Sequence, residues 1–190
     1  SYLRATQHRG PDNSAKASYG SFTFGHNRLS IIDLSEDANQ PFVSACSNYV
    51  IVFNGEVYNY QEIRKDLENK YAFRTSSDTE VVLYSYIEKK EACLKDFIGM
   101  FAFTVYDVKN DKLFGARDRL GIKPFVYYEK EQQFAFASEI KVIKELVSGL
   151  SVNEAAKRQY LRYLYVPAPF TIYNEIKKLE PGHYFIYQKS

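Results

Sequence analysis

Four short segments carry polar or charged residues where a plain core strand would not. Asn54-Gly55-Glu56 directly follows the apolar run at 49–53. An asparagine amide beside a backbone N–H that glycine leaves uncovered is a pair of donors suited to a developing oxyanion. The same Asn-Gly pair is also the strongest short hairpin signal. Arg28 lies within a β-patterned run, 28–34. Its planar fork matches a carboxylate, either an internal Asp or Glu or that of a ligand. Ser77-Asp78 opens a helical pattern, where Asp78 can favour the helix dipole or hold an ammonium group. His8-Arg9-Gly10-Pro11-Asp12 surrounds a turn, and its side chains can lock a loop through charge-assisted hydrogen bonds. On spacing alone the structural reading leads in each case, and His8 is read as structural throughout.

The elements that must position these residues are mostly strands. Runs at 19–24, 28–34, 49–53, 100–106, 113–116, 125–128 and 134–137 read as strands, with an Asn-Asp turn at 108–112. The run at 49–53 is continuously apolar, which marks a strand buried on both faces. Helical patterns are fewer. Ile63 and Leu67 are four apart, and Ser77-Asp78-Thr79-Glu80 has the form of a capping box. In the helix that follows, Val82 pairs with Tyr86 and Leu83 with Ile87 on an apolar side. Ser138 is a candidate N-cap for a helix carrying Ile140, Ile143 and Val147, and 153–164 is a further helix. A hairpin-like stretch ends at Tyr187. Helices covering the outer faces of stacked antiparallel sheets give an α+β sandwich.

Composition narrows the function classes. The 190 residues suit one domain, and 31 Tyr and Phe rings favour a sheet-rich core. Net charge is +2 without a basic block, which gives no support to nucleic-acid or membrane-surface binding. No apolar run is long enough to span a bilayer. Cys46 and Cys93 have no metal-ligand spacing and read as inert thiols, so no metal site is expected.

Together the segments resemble the class II, N-terminal-nucleophile glutamine amidotransferases, in the wording of the asparagine synthetase family. The matching stretches are His8-Arg9-Gly10-Pro11-Asp12, Arg28-Leu29-Ser30-Ile31-Ile32-Asp33, Gln40-Pro41, Phe53-Asn54-Gly55-Glu56-Val57-Tyr58-Asn59 and Ser77-Asp78-Thr79-Glu80. Gly99-Met100-Phe101-Ala102-Phe103, Arg117-Asp118-Arg119-Leu120-Gly121-Ile122-Lys123-Pro124 and Ala137-Ser138-Glu139 continue the match in the same order. The resemblance implies a four-layer αββα sandwich of two antiparallel sheets. It implies hydrolysis of glutamine to glutamate and ammonia. Arg28 would grip the glutamine α-carboxylate. Asp78, helped by Glu56, would hold the α-ammonium. The main chain of Leu29, Ile31 and Ile32 would line the pocket, and the Asn54 amide with the Gly55 N–H would form the oxyanion hole.

The family's nucleophile is an N-terminal cysteine whose own α-amine acts as base. No cysteine of this chain lies before Cys46, and Ser1 is not read as a replacement. The expectation is a glutaminase domain over 1–150 that lacks its first strand and most of its first helix. Residues 151–190 would then be an extension leading toward a C-terminal synthetase domain, and the fragment alone would be inactive. The resemblance implies no cofactor in this domain, with ATP and Mg in the synthetase domain amidating aspartate to asparagine. It also implies a cytoplasmic setting and is compatible with a homodimer. Two alternatives stay open: a non-catalytic amidotransferase-like module, and a glutaminase serving another carboxylate acceptor such as a surface-polysaccharide sugar.

Overall fold

A computed structural model describes residues 2–189. Ser1 lies outside the described residues. The centre is a five-stranded antiparallel sheet in the order β10-β6-β5-β4-β3, built from β3 (Phe42–Val43), β4 (Tyr49–Val57), β5 (Gly99–Asp107), β6 (Lys112–Arg117) and β10 (Tyr184–Gln188). β4 and β5 pair along all of β4, from Tyr49↔Asp107 to Val57↔Gly99. The 49–53 run is apolar on both faces because both faces are covered. On one, Ile51, Phe53, Phe103 and Phe114 pack against Val82, Leu83 and Tyr86 of α3 (Asp78–Lys89). On the other, Val50, Val52, Tyr106 and Leu113 meet Phe24 and the partly buried Phe134 and Phe136.

That second face is met by a layer in two pieces. One is the hairpin of β1 (Asn13–Tyr19) and β2 (Phe22–Arg28). The other is the sheet β8-β7-β9, from β7 (Val126–Lys130), β8 (Gln133–Ala137) and β9 (Ile176–Lys178). α4 (Ile140–Leu146) covers the outside of β7 and β8 through Ile143, and the short α1 (Tyr2–Ala5) packs on β2 and α4. With α2 (Tyr60–Leu67) beside α3, the order is helix, sheet, sheet, helix. α5 (Glu154–Tyr163) follows, its N-cap Asn153 accepting the Ala156 N–H.

Several local expectations change. The run 28–34 is not a strand beyond Arg28. Leu29, Ile31 and Leu34 are 55%, 70% and 77% exposed, because Asp12 takes the Ser30 N–H and turns the chain outward. Asn54-Gly55 is not a hairpin turn; it continues β4, opposite Ala102 and Phe101. Ser138 is not the cap of α4. Glu139 takes that position without capping, and its carboxylate binds His8, Arg9 and Lys141. Burial pushes this carboxyl up, but the contacts with Lys141 and Arg9 outweigh it and hold the pKa below the ordinary value. Only half the capping box forms: the Ser77 hydroxyl accepts the Glu80 N–H, while the buried Glu80 carboxylate takes the N–H groups of Arg74 and Thr75. The final stretch is not a hairpin either, since β9 joins β7 and β10 joins β6. Residues 151–190 therefore supply a strand to each of two sheets.

Candidate functional site

The site forms at one end of β4, where its outer edge runs out of strand partners. β3 covers only Ile51 and Val50. At Phe53 a side chain takes over: Gln40 Oε1 accepts the Phe53 N–H at 2.6 Å, and its Nε2 donates to the Phe53 carbonyl at 3.2 Å. At Val57 the N–H donates to Asp78 Oδ2 at 3.0 Å. Alternate residues of a strand direct their N–H groups to the same edge. The Gly55 N–H therefore leaves this edge between the two clamps, and no acceptor takes it among the described residues. Glycine is required there. A Cβ would lie 2.2 Å from the Met100 carbonyl oxygen and 2.6 Å from the Phe101 Cα, at a φ of +156°.

The side chain of Asn54 points the other way out of the strand, to the face shared by Val50 and Val52. It enters a cleft of about 600 Å³ between β2 and β8, lined by Phe24, His26, Phe136 and Thr104 among others. Four buried polar atoms of lining residues have no partner among the described residues: Asn54 Nδ2, Thr104 Oγ1, His26 Nδ1 and the Tyr2 hydroxyl. An unpaired buried donor costs free energy, so Asn54 Nδ2 is an atom that a ligand would stabilise. The His26 ring bonds the Phe53 carbonyl through Nε2, and burial pushes its pKa down to about 4, so the imidazole is neutral.

Arg28 ends β2 and is 8% exposed. Among the described residues it has no carboxylate partner, so the internal salt bridge that spacing favours is not made there. Nη1 donates to the Ser35 carbonyl at 2.7 Å and to Asn39 Oδ1 at 2.8 Å, and Nη2 donates to the Asp33 carbonyl. Three of the five guanidinium N–H donors are thus used among the described residues, which leaves Nε–H and one Nη2–H. These contacts close the 29–39 loop. Asp33 then ties that loop to the start of α3 by accepting the Ser76 N–H and hydroxyl at 2.8 and 3.0 Å. No protein acceptor takes the N–H of Leu29, Ile31 or Ile32 among the described residues.

Asp78 opens α3 and is 5% exposed. No ion pair among the described residues involves it. Burial pushes its pKa up to about 6, the nearby Glu56 adds to the rise, and the N–H groups of Val57 and Thr79 only partly offset it. A buried carboxylate without a counter-ion is poised for a cation from outside the chain. Glu56, half-buried, lies on the Asn54 face of β4. The fold thus brings a partly open guanidinium loop, an unpaired carboxylate and two unsatisfied N–H donors to one end of the central sheet.

Residues outside this set are scaffold. His8 Nε2 meets Glu139 at 3.0 Å on the surface, which fits a loop lock. Cys93 is buried against the α3 face, its thiol pushed up to about 12 by burial, and Cys46 sits in the exposed β3–β4 turn. Among the described residues no cluster of His, Cys, Asp and Glu could hold a metal, and no helix is long and apolar enough to cross a membrane. Gln40 and Asp33 stand in the family-like stretches of the sequence without a role assigned to either, because the Gln40 clamp depends on a strand edge, and the Asp33 bridge on a loop, that the sequence does not show.

The model of the glutamine amidotransferase domain family matches residues 1–190. The chain belongs to that family. Asparagine synthetase (glutamine-hydrolyzing) 1 of Bacillus subtilis is 42% identical over 179 residues, covering 94% of this chain and 28% of that protein. Asparagine synthetase (glutamine-hydrolyzing) 3 of the same organism is 39% identical over 95% of this chain and 30% of the relative. Asparagine synthetase B of Escherichia coli is 40% identical over 74% of this chain and 25% of the relative. The chain thus spans less than a third of the length of these relatives. Among solved structures, the glutamine phosphoribosylpyrophosphate amidotransferase of B. subtilis superposes with a TM-score of 0.62 at 21% identity, over 75% of this chain and 39% of that one. At that identity the likeness speaks for the fold alone, the αββα sandwich described above.

Proposed function

We propose that this glutamine amidotransferase domain hydrolyses L-glutamine to glutamate and ammonia at the outer end of β4. The observation that carries the proposal is the pairing of an unpaired buried carboxylate, Asp78, with a guanidinium, Arg28, that keeps a free fork. An α-amino acid presents both complementary charges. In this reading the Nε–H and free Nη2–H of Arg28 take the α-carboxylate, and Asp78 with Glu56 takes the α-ammonium. The open N–H groups of Leu29, Ile31 and Ile32 add backbone donors to the same rim. Asn54 Nδ2 and the Gly55 N–H stabilise the oxyanion as the side-chain amide is attacked, the step where such donors contribute most.

No thiol of these 190 residues reaches that point, since Cys46 and Cys93 lie elsewhere. In this reading the nucleophile is the N-terminal cysteine that the family resemblance implies for the whole protein. It forms a thioester as ammonia leaves, and water releases glutamate. Residues 1–190 alone are inactive in this reading. In the whole protein the ammonia would serve asparagine synthesis, as the relatives' names suggest, and in this reading an ATP- and Mg-dependent synthetase domain would amidate aspartate with it. The glutaminase domain itself holds no cofactor, and the setting is cytoplasmic. A different carboxylate acceptor would leave this site unchanged.

The test is ammonia release from L-glutamine by the full-length protein, before and after thiol alkylation. Release that alkylation abolishes, with ammonia-dependent synthesis preserved, supports the reading. No release from the unmodified protein overturns it in favour of a non-catalytic module.

A further inference from the structure

Resting on the glutaminase reading, we propose that Gln40 is a positioning residue that couples the oxyanion strand to the ammonium-binding helix. The residue is 6% exposed, and its side chain makes three contacts within one amide. Oε1 accepts the Phe53 N–H at 2.6 Å, and Nε2 donates to the Phe53 carbonyl at 3.2 Å and to Thr79 Oγ1 at 3.3 Å. Phe53 precedes Asn54, and its carbonyl belongs to the peptide that sets the Asn54 backbone. Thr79 follows Asp78. One buried amide thus touches the neighbour of each half of the site.

Geometry makes the residue type specific. The strand edge at Phe53 offers one donor and one acceptor, as a paired strand would meet, but β3 stops short of it. A primary amide satisfies both and keeps a second N–H for Thr79. A carboxylate supplies no donor. His26 also donates to the Phe53 carbonyl, at 3.2 Å, but it reaches neither the Phe53 N–H nor Thr79. The contact with Thr79 is what converts a strand clamp into a coupling between the two substrate-facing groups. Asn39, the adjacent residue, accepts from Arg28, so the 39–40 pair also anchors the carboxylate grip.

Loosening Gln40 should misplace groups that act on ground state and transition state alike, and a misplacement of about 1 Å can cost about 100-fold. The experiment measures kcat and KM for glutamine hydrolysis by the full-length protein and its Gln40→Ala, Gln40→Glu and Thr79→Val variants. Circular dichroism serves as the fold control. Gln40→Ala is expected to lower kcat by about 10–100-fold per folded molecule and to raise KM, with Gln40→Glu also impaired. Thr79→Val keeps the Phe53 clamp and is expected to raise KM several-fold with a much smaller loss of kcat. A folded Gln40→Ala with kcat and KM near wild type overturns the coupling. If Gln40→Ala does not fold, an unchanged KM in Thr79→Val overturns it. No hydrolysis by the wild-type protein overturns the glutaminase reading itself, and the positioning role with it.

Discussion

Two charged regions of this chain look alike in sequence and differ in what their hydrogen bonds leave over. Around 117–119, both arginines are fastened to main-chain carbonyls and the buried carboxylate between them is filled by N–H groups. Arg117 donates to the carbonyls of Lys123, Leu179 and Gly121, and Arg119 to those of Phe97, Leu94 and Lys95. Asp118, 1% exposed, accepts the N–H groups of Phe101, Leu120, Ile122 and Lys123. At the end of β4 the bonding is incomplete. Among the described residues the buried Asp78 carboxylate takes the Val57 N–H but no cation, where Asp118 takes four N–H groups, and Asn54 Nδ2 has no partner. A saturated network is a fastener, whereas an unsaturated one placed in the same core has an outside partner.

The contrast breaks most sharply at Asp118. Asp118→Ala would strand several N–H groups at the β5–β6 junction, each worth about 1–3 kcal/mol when left unpaired. The expected loss is about 3 kcal/mol or more, read as a large fall in the urea midpoint. A midpoint within error of wild type would remove the fastener role. Asn54→Ala is the opposite case. It should leave the midpoint nearly unchanged and lower kcat in the full-length protein by about 100–1,000-fold, the usual effect of losing one oxyanion donor. An unchanged kcat would take Asn54 out of the oxyanion hole.

Asp78 sharpens the comparison through pH. Its pKa is about 6 in the folded chain against 3.8 unperturbed, so its favourable contribution is full below about pH 4 and is lost as pH rises through 6. Asp78→Asn should therefore raise stability at pH 7.5 in the absence of glutamine, by roughly 1–3 kcal/mol, while abolishing glutamine binding. The depressed pKa of His26 acts oppositely, stabilising above 6.5 and losing that contribution as pH falls through about 4. In Asp78→Asn, stability should rise more steeply between pH 4 and 6.5 than in wild type; an equal slope would mean that Asp78 is solvated. The smallest effect is expected at Ser77, whose hydroxyl caps α3. Ser77→Ala should cost about 1 kcal/mol, measured by thermal melting, and no change would mean that the cap is made by water.

Most of the scaffold is legible in the sequence because local pattern and burial agree. The continuous apolar run at 49–53 reports a strand covered on both faces, and it is one. The site is legible as residue types but not as geometry. Asn54-Gly55 reads locally as a turn, and only the close approach of Met100 and Phe101 across the sheet explains why glycine sits inside a strand. The apolar letters of Leu29, Ile31 and Leu34 suggest a strand because spacing cannot reveal that Asp12 and Arg28 bend the chain into an open loop. Gln40 stands in a family-like stretch, but no local pattern gives its role, since that role is to complete another strand's edge.

The most direct measurement is the KM for L-glutamine of Arg28→Ala in the full-length protein, alongside its ammonia-dependent synthesis. If the β4 end is an α-amino acid pocket, KM rises by at least about tenfold, the loss of one charged contact, while ammonia-dependent synthesis stays at the wild-type rate. Equal loss of both activities would show that Arg28 is a fastener like Arg117, and that the unsaturated bonding at this end of the sheet does not mark a substrate site.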